Sequence, residues 1–315
     1  MSRMRLILPA LAAALLFTGC AGGDASADPA TAAETARLDQ AFVDETRSWQ
    51  RQREERLTAP DGWTSLIGLH WLELKAHYVG SDATSGLRIA MGPGKLGLLQ
   101  QQGDALFFTP ERGAALTLDG APLRGRARVR TDRDETPGTI GFDDGKGQLS
   151  VIERGNRKAL RVRHADAPTR TGFAGLDYWP IDRDWRIDAR FTPAAPGTTI
   201  EIADIIGTIN RMPCPGAVTF ERDGASYTLQ AVEGEAGGLF LILADRTSGH
   251  GSYGAGRYLD TAAPDADGHV VLDFNRAYNP PCAFTPFATC PLPPQENRLD
   301  LAITAGEKAY AKPVL

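Results

Sequence analysis

Gln148-Leu-Ser-Val-Ile-Glu153, then Gly155-Asn156, then Ala159-Leu-Arg-Val-Arg-His164 reads as two β-strands joined by a tight turn. Side chains in a strand alternate between faces, and Gly-Asn supplies the positive φ that a short hairpin connection needs. The same grammar recurs on both sides. Leu116 to Gly120, Trp185 to Phe191, Tyr227 to Val232, Leu239 to Ala244 and Val270 to Phe274 are strand-like runs, and Asp119-Gly120, Asp223-Gly224 and Asp267-Gly268 are turns. Strands at this spacing without helices between them predict an all-β chain, an antiparallel β-sandwich or barrel-like fold built as one sheet system or as two packed β units. Its best internal boundary is the polar, Pro-containing stretch from Ala165 to Thr171, which separates an N-terminal β part (60–165) from a C-terminal one (166–315). A sheet continuous across that boundary remains open.

Working toward the N-terminus, residues 34–59 are rich in helix formers, and Leu38, Phe42 and Trp49 recur on one helical face. An amphipathic helix is expected there, ended by Pro60-Asp61-Gly62. Before it, residues 20–33 are small, polar and aperiodic, as in a flexible tether. At the start, Arg3 and Arg5 precede an apolar run from Leu6 to Phe17, shorter than the roughly 20 residues that span a bilayer. Leu16-Phe-Thr-Gly-Cys20 follows and resembles the lipobox of bacterial lipoproteins. That resemblance implies a signal peptide over residues 1–19, lipidation of Cys20, and a protein held in the cell envelope by its lipid. With Ala21 after the cysteine, a Gram-negative host would deliver it to the outer membrane, facing the periplasm.

Loss of Arg3 and Arg5 would make the formal charge of -5 two units more negative, which argues against nucleic acid as a partner. Lipidation of Cys20 would leave Cys214, Cys282 and Cys290. In an oxidising compartment Cys282 and Cys290 form the natural disulfide, worth roughly 2.5 kcal/mol by loop closure, with three free buried thiols as the alternative. Arg124, Arg126, Arg128 and Arg130 alternate along one strand face, a solvated face or a contact for anionic lipid or glycan. Gly249-His-Gly-Ser-Tyr-Gly254 matches a dinucleotide fingerprint in letters alone, because it leads into Arg257-Tyr258-Leu259, a strand and not a helix. His70 and His77 lack an evident third ligand, so neither a metal nor another cofactor is expected.

The densest stretch runs from Asp273 to Leu299. Its prolines forbid helix and central strand, which leaves a stiff extended loop carrying Asp273, Asn275, Arg276, Tyr278, Asn279, Glu296, Asn297 and Arg298. With Tyr253, Arg257 and His70 these are the candidate ligand-binding or catalytic residues. The competing reading is that Asn and Arg satisfy the backbone of a loop that must be buried.

This loop, Gly62-Trp63-Thr-Ser-Leu-Ile-Gly-Leu-His-Trp-Leu72, and Asp245 through Gly249 and Tyr253 to Leu259 together resemble the domain of unknown function 1684 family, over roughly Gly62 to Lys308. The resemblance implies no particular reaction. Val79-Gly-Ser-Asp82, with Leu87 and Ile89, is similar to the opening of forkhead-associated β-sandwiches, without the Arg, Ser and His of phosphothreonine readers. Two functions are therefore expected: a membrane-anchored ligand-binding or structural envelope protein, or a hydrolase of envelope material using Asp273 and Glu296 as acid and base.

Overall fold

The computed structural model describes residues 29–311, with side chains from residue 37. The expected signal peptide, the expected lipidation site Cys20 and the first part of the expected tether lie outside the described residues. The chain divides into two compact units, Met1–Ala41 and Phe42–Leu315, and every sheet belongs to the second. Among the described residues no helix is long and apolar enough to cross a membrane.

Helix α1, Pro29–Leu57, begins earlier than the sequence suggests. Within the second unit its buried positions are Phe42, Thr46, Arg53 and Leu57, a stripe at helical spacing in which an arginine stands among apolar side chains. Leu38, expected on the buried face, is exposed. A single 3-10 turn at Trp63–Ser65 leads into the sheets.

The N-terminal strands are β1 (Leu66–Trp71), β2 (Ala76–Gly80), β3 (Leu87–Arg88), β4 (Gly97–Gln102), β5 (Ala105–Pro110), β6 (Thr117–Leu118), β7 (Ala121–Pro122), β8 (Ala127–Val129), β9 (Thr139–Phe142), β10 (Gly147–Arg154) and β11 (Arg157–His164). They form a six-stranded sheet, β1-β11-β10-β9-β6-β7, and a five-stranded sheet, β3-β2-β4-β5-β8. Both turn apolar side chains inward: Val79, Leu99, Leu106 and Phe108 from one, Ile140, Leu149, Val151, Leu160 and Val162 from the other, all in one buried cluster. That shared core makes this part a β-sandwich. The β10–β11 hairpin pairs Arg154 with Arg157 across Gly155, whose φ of 58° is the one its turn requires.

The C-terminal strands are β12 (Arg186–Pro193), β13 (Thr199–Ala203), β14 (Ile209–Pro213), β15 (Gly216–Arg222), β16 (Ala225–Glu233), β17 (Leu239–Leu243), β18 (Arg257–Asp260) and β19 (His269–Asp273). Six of them form an antiparallel sheet, β18-β17-β16-β15-β12-β19, and β13 with β14 makes a separate hairpin. No named sheet joins strands from both sides of residues 165–171.

Strand β17 is covered on both faces, which explains why Leu239-Phe-Leu-Ile-Leu243 is apolar without interruption. Leu239, Leu241 and Leu243 enter a core completed by Leu299, Leu301, Ile303 and Ala305. Phe240 and Ile242 face the opposite way, toward Ile202, Tyr258, Cys282, Ala288 and Cys290. The second face is thus covered by the β13–β14 hairpin and the Pro-rich loop. That loop also reaches the N-terminal sandwich: Thr285 Oγ1 donates to the Leu66 carbonyl at 3.0 Å, and Arg154 Nε donates to Thr289 Oγ1 at 2.9 Å.

The expected Cys282–Cys290 bridge is not formed. Cys214, Cys282 and Cys290 are all buried and none is in a disulfide, and the Cys282 amide donates to Cys290 Sγ at 3.1 Å. The hydrogen bond with Cys282 and burial both hold the Cys290 thiol well above its ordinary range, so it stays protonated.

Candidate functional site

Strand β18 decides the geometry. Alternation sends Arg257 and Leu259 to one face, where both are fully buried, and Tyr258 and Asp260 to the other. Arg257 lies beneath the segment that carries Leu299 to Ala305. That segment buries alternate residues like a strand but has no strand ladder over its carbonyls. The Arg257 guanidinium replaces the ladder. It donates to the carbonyls of Ile303 at 2.9 Å, Ala305, and Glu307 at 3.3 Å, while Asp245 Oδ2 accepts at 2.9 Å and balances the charge. Arg257 is therefore structural and closed to ligands.

On the other face, the Tyr258 and Tyr278 backbones bond reciprocally, which adds Tyr278 to the edge of β18. The two rings meet edge to face with centroids 5.8 Å apart, and the Tyr278 hydroxyl donates to Asp260 Oδ2 at 2.8 Å.

Helix α1 brings Trp49, Arg53 and Arg56 over this edge at i, i+4 and i+7, one helical face. Arg53 is the bolt. Its guanidinium lies 4.6 Å from the centroid of the Tyr278 ring, Nε donates to Glu307 Oε1 at 2.8 Å, and Nη2 donates to the Asn279 carbonyl at 2.9 Å. Glu307 is wholly buried, and its other oxygen accepts from the Asn279 amide at 2.7 Å. The preceding Gly306, at φ 78°, admits no side chain, since a Cβ would stand 2.4 Å from the Ala277 carbonyl oxygen. That close approach is what puts Glu307 within reach of Arg53. Burial pushes the Glu307 carboxyl up, and Arg53 offsets only part of the shift.

Together these elements enclose an open cleft of about 1200 Å³. Five aromatic side chains line it: Trp49, Trp63, Phe240, Tyr258 and Tyr278. Asp61, Glu233, Glu235 and Asp260 supply carboxylates, and Arg56 an exposed cation. Glu233 ends β16, Glu235 lies in the β16–β17 connection, and Phe240 on β17 is the register partner of Asp260. Burial raises Asp260 above the usual carboxylate range; Tyr278 opposes this, Glu235 reinforces it, and Arg53 and Arg56 oppose it more weakly. Burial and the neighbouring Asp260 carboxylate raise Tyr278, which stays a hydrogen-bond donor.

Of the residues singled out from sequence, only Tyr278 lines this cleft. Asp273 caps the 3-10 turn at Phe274–Arg276 and pairs with Arg186 and Arg276 at 3.3 Å each. Asn275 exchanges both amide functions with the backbone of Asp182. Arg276 reaches Glu45 on helix α1. The Asn279 amide nitrogen donates to the Lys308 carbonyl. Asn297 bonds the amide and carbonyl of Gln230 and the carbonyl of Ile242, standing in as a strand between β16 and β17. Arg298 donates to the Pro293 carbonyl, and Glu296 is exposed. Asp273 and Glu296 are not cleft residues, so no acid–base pair forms from them there. Tyr253 packs beside Leu57 and Phe284 in the loop's core. His70 is half-buried in β1, and burial lowers its affinity for a proton.

His77 Nε2 accepts from the Leu74 amide, and among the described residues no three His, Cys, Asp or Glu side chains gather as a metal site requires. Along the arginine strand, Arg126 covers the Phe107 ring, Arg128 pairs with Asp134, and Arg130 pairs with Asp119. Sequence reasoning passed over Arg53, Asp260 and Glu307. Tyr258 and Asp260 at i, i+2 were the available signal for the cleft face of β18, as were Trp49, Arg53 and Arg56 for the helix.

A family model described as "Protein of unknown function (DUF1684)" matches residues 171–308. The likeness expected from Gly62 onward thus begins later, within the C-terminal part. It encloses Tyr258, Asp260, Tyr278 and Glu307 and leaves out Trp49, Arg53 and Trp63. No curated protein matches the chain. Among solved structures, it is similar to the solution NMR structure of an uncharacterized protein of Haloarcula marismortui, 36% identical, covering 44% of this chain and 78% of that one, with a TM-score of 0.37.

Proposed function

For a chain whose residues 171–308 belong to the DUF1684 family, we propose a lipid-anchored envelope protein that binds a glycan segment in the cleft between helix α1 and the β16–β17–β18 edge. The observation that carries this reading is the convergence of five aromatic side chains with carboxylates in one open groove. Sugar rings offer apolar C–H faces that stack on aromatic rings, and hydroxyls that carboxylates and guanidinium groups bond. The acidic rim disfavours polyanions. The rigid loop supports the wall, with Asn279 bonding the backbone of Lys308 and Asn297 the backbone of Gln230 and Ile242.

Trp49 and Trp63 line the cleft, so occupancy reports itself in tryptophan emission. Titration with oligosaccharides of glucose and of N-acetylglucosamine is expected to give saturable quenching, weakened about tenfold by Trp49→Ala, equivalent to about 1.4 kcal/mol. No saturable change with either series would refute the glycan reading. The anchor has its own test. Cys20→Ser is expected to move the protein from the membrane fraction to the soluble fraction, and an unchanged distribution would remove lipidation from the account.

A further inference from the structure

Resting on the glycan reading, we propose that this cleft also hydrolyses the glycosidic bond of the bound segment, with Asp260 as proton donor and Glu235 as the base that activates water. The two carboxylates share one cleft wall but differ in setting. Both side chains are open to solvent, but Asp260 ends β18 beside Phe240 and Tyr278, with one oxygen held by the Tyr278 hydroxyl at 2.8 Å, whereas Glu235 lies in the β16–β17 turn. Two carboxyl groups in unlike environments are what acid–base glycoside hydrolysis requires.

The step balances without a co-reactant beyond water. Asp260 protonates the glycosidic oxygen as the bond from that oxygen to the anomeric carbon breaks. Glu235 accepts a proton from the water whose oxygen bonds to that carbon. Exchange with solvent then returns a proton to Asp260 and removes one from Glu235. Tyr278 is a positioning residue, and it donates to the carboxylate that Asp260 becomes. Arg53 and its buried partner Glu307 hold Tyr278 in place. The charged and titratable groups felt at Asp260 are Tyr278, Glu235, Arg53 and Arg56, and burial outweighs them, so the carboxyl keeps its proton to a higher pH than an ordinary aspartate.

The test uses the full chain and methylumbelliferyl oligosaccharides of glucose and N-acetylglucosamine, reading fluorophore release beside tryptophan quenching. Release is expected, and Asp260→Asn and Glu235→Gln should each lower it about 100-fold or more, well beyond the loss of affinity that quenching reads for the same variant. Tyr278→Phe removes a donor that favours the ionised carboxylate, so the alkaline limb of the pH profile should move to higher pH. A structural role for Tyr278 alone would leave that limb in place. Quenching without release overturns catalysis and leaves the binding reading standing. Release that Asp260→Asn does not diminish overturns the assignment of the acid. Absence of both signals overturns the binding reading, and catalysis with it.

Discussion

Arg257→Met is expected to lower the urea midpoint of unfolding by roughly 1 to 2 M, the largest effect of any single substitution considered for this chain. The side chain is fully buried and holds Asp245 at 2.9 Å. Truncation leaves that carboxylate in the core without its cation, a change that costs about 3 to 5 kcal/mol in buried pairs. It also strips donors from the carbonyls of Ile303, Ala305 and Glu307, each costly when left unbonded. Stability of an ordinary domain is about 5 to 15 kcal/mol, so the variant should be close to unfolding at physiological temperature. Adding Asp245→Asn to Arg257→Met should recover part of the loss, because the charge without a partner is then gone. A shift below about 0.5 kcal/mol, the usual range for surface positions, would remove Arg257 from this role.

Arg53→Ala should have a cost that depends on pH. In the folded protein Glu307 is raised above the ordinary carboxylate value of 4.5 by burial. A raised folded value means that its contribution to stability is fully present below the unfolded value and is lost as pH rises through the folded one. Without Arg53 the folded value rises further. Near pH 4 the variant should therefore lose little beyond the hydrogen bond to Asn279 and the contact with Tyr278. Near pH 7.5 it should lose about 3 to 5 kcal/mol, the cost of a buried carboxylate without its cation. Glu307→Gln in the Arg53→Ala background should flatten this dependence. Denaturation curves at the two pH values decide the matter, and equal losses at both would show that the pair does not carry the effect. The same variant frees Tyr278, so sugar quenching should weaken with it.

The strand grammar was legible because it is local. Gly155-Asn156, Asp119-Gly120 and Asp223-Gly224 turn the chain by their own backbone preferences, and β10, β11, β16 and β17 follow from periodicity within a few residues of where they were expected. The short strands β3 and β7 were not legible at that length, since two residues carry no period, while β6 falls inside the run from Leu116 to Gly120. Asn275, Asn279 and Asn297 stood out in the Pro-rich loop, and all three are buried. Their purpose was ambiguous, because an amide that bonds a ligand and one that bonds a distant backbone look alike in sequence. Each turned out to answer backbone groups: Asp182 for Asn275, Lys308 for Asn279, and Gln230 with Ile242 for Asn297.

By itself, then, the sequence determined the all-β class, the leading helix and the family likeness of the C-terminal part, all of which rest on neighbours along the chain. Only the tertiary structure decided that Arg257 and Glu307 are interior charges, that Cys282 and Cys290 form no disulfide, and that Asp260 meets Tyr278. The physical reason is sequence distance. Arg53 and Glu307 are 254 residues apart, and burial, which governs what a charge or a hydroxyl does, is set by whatever the fold brings against it.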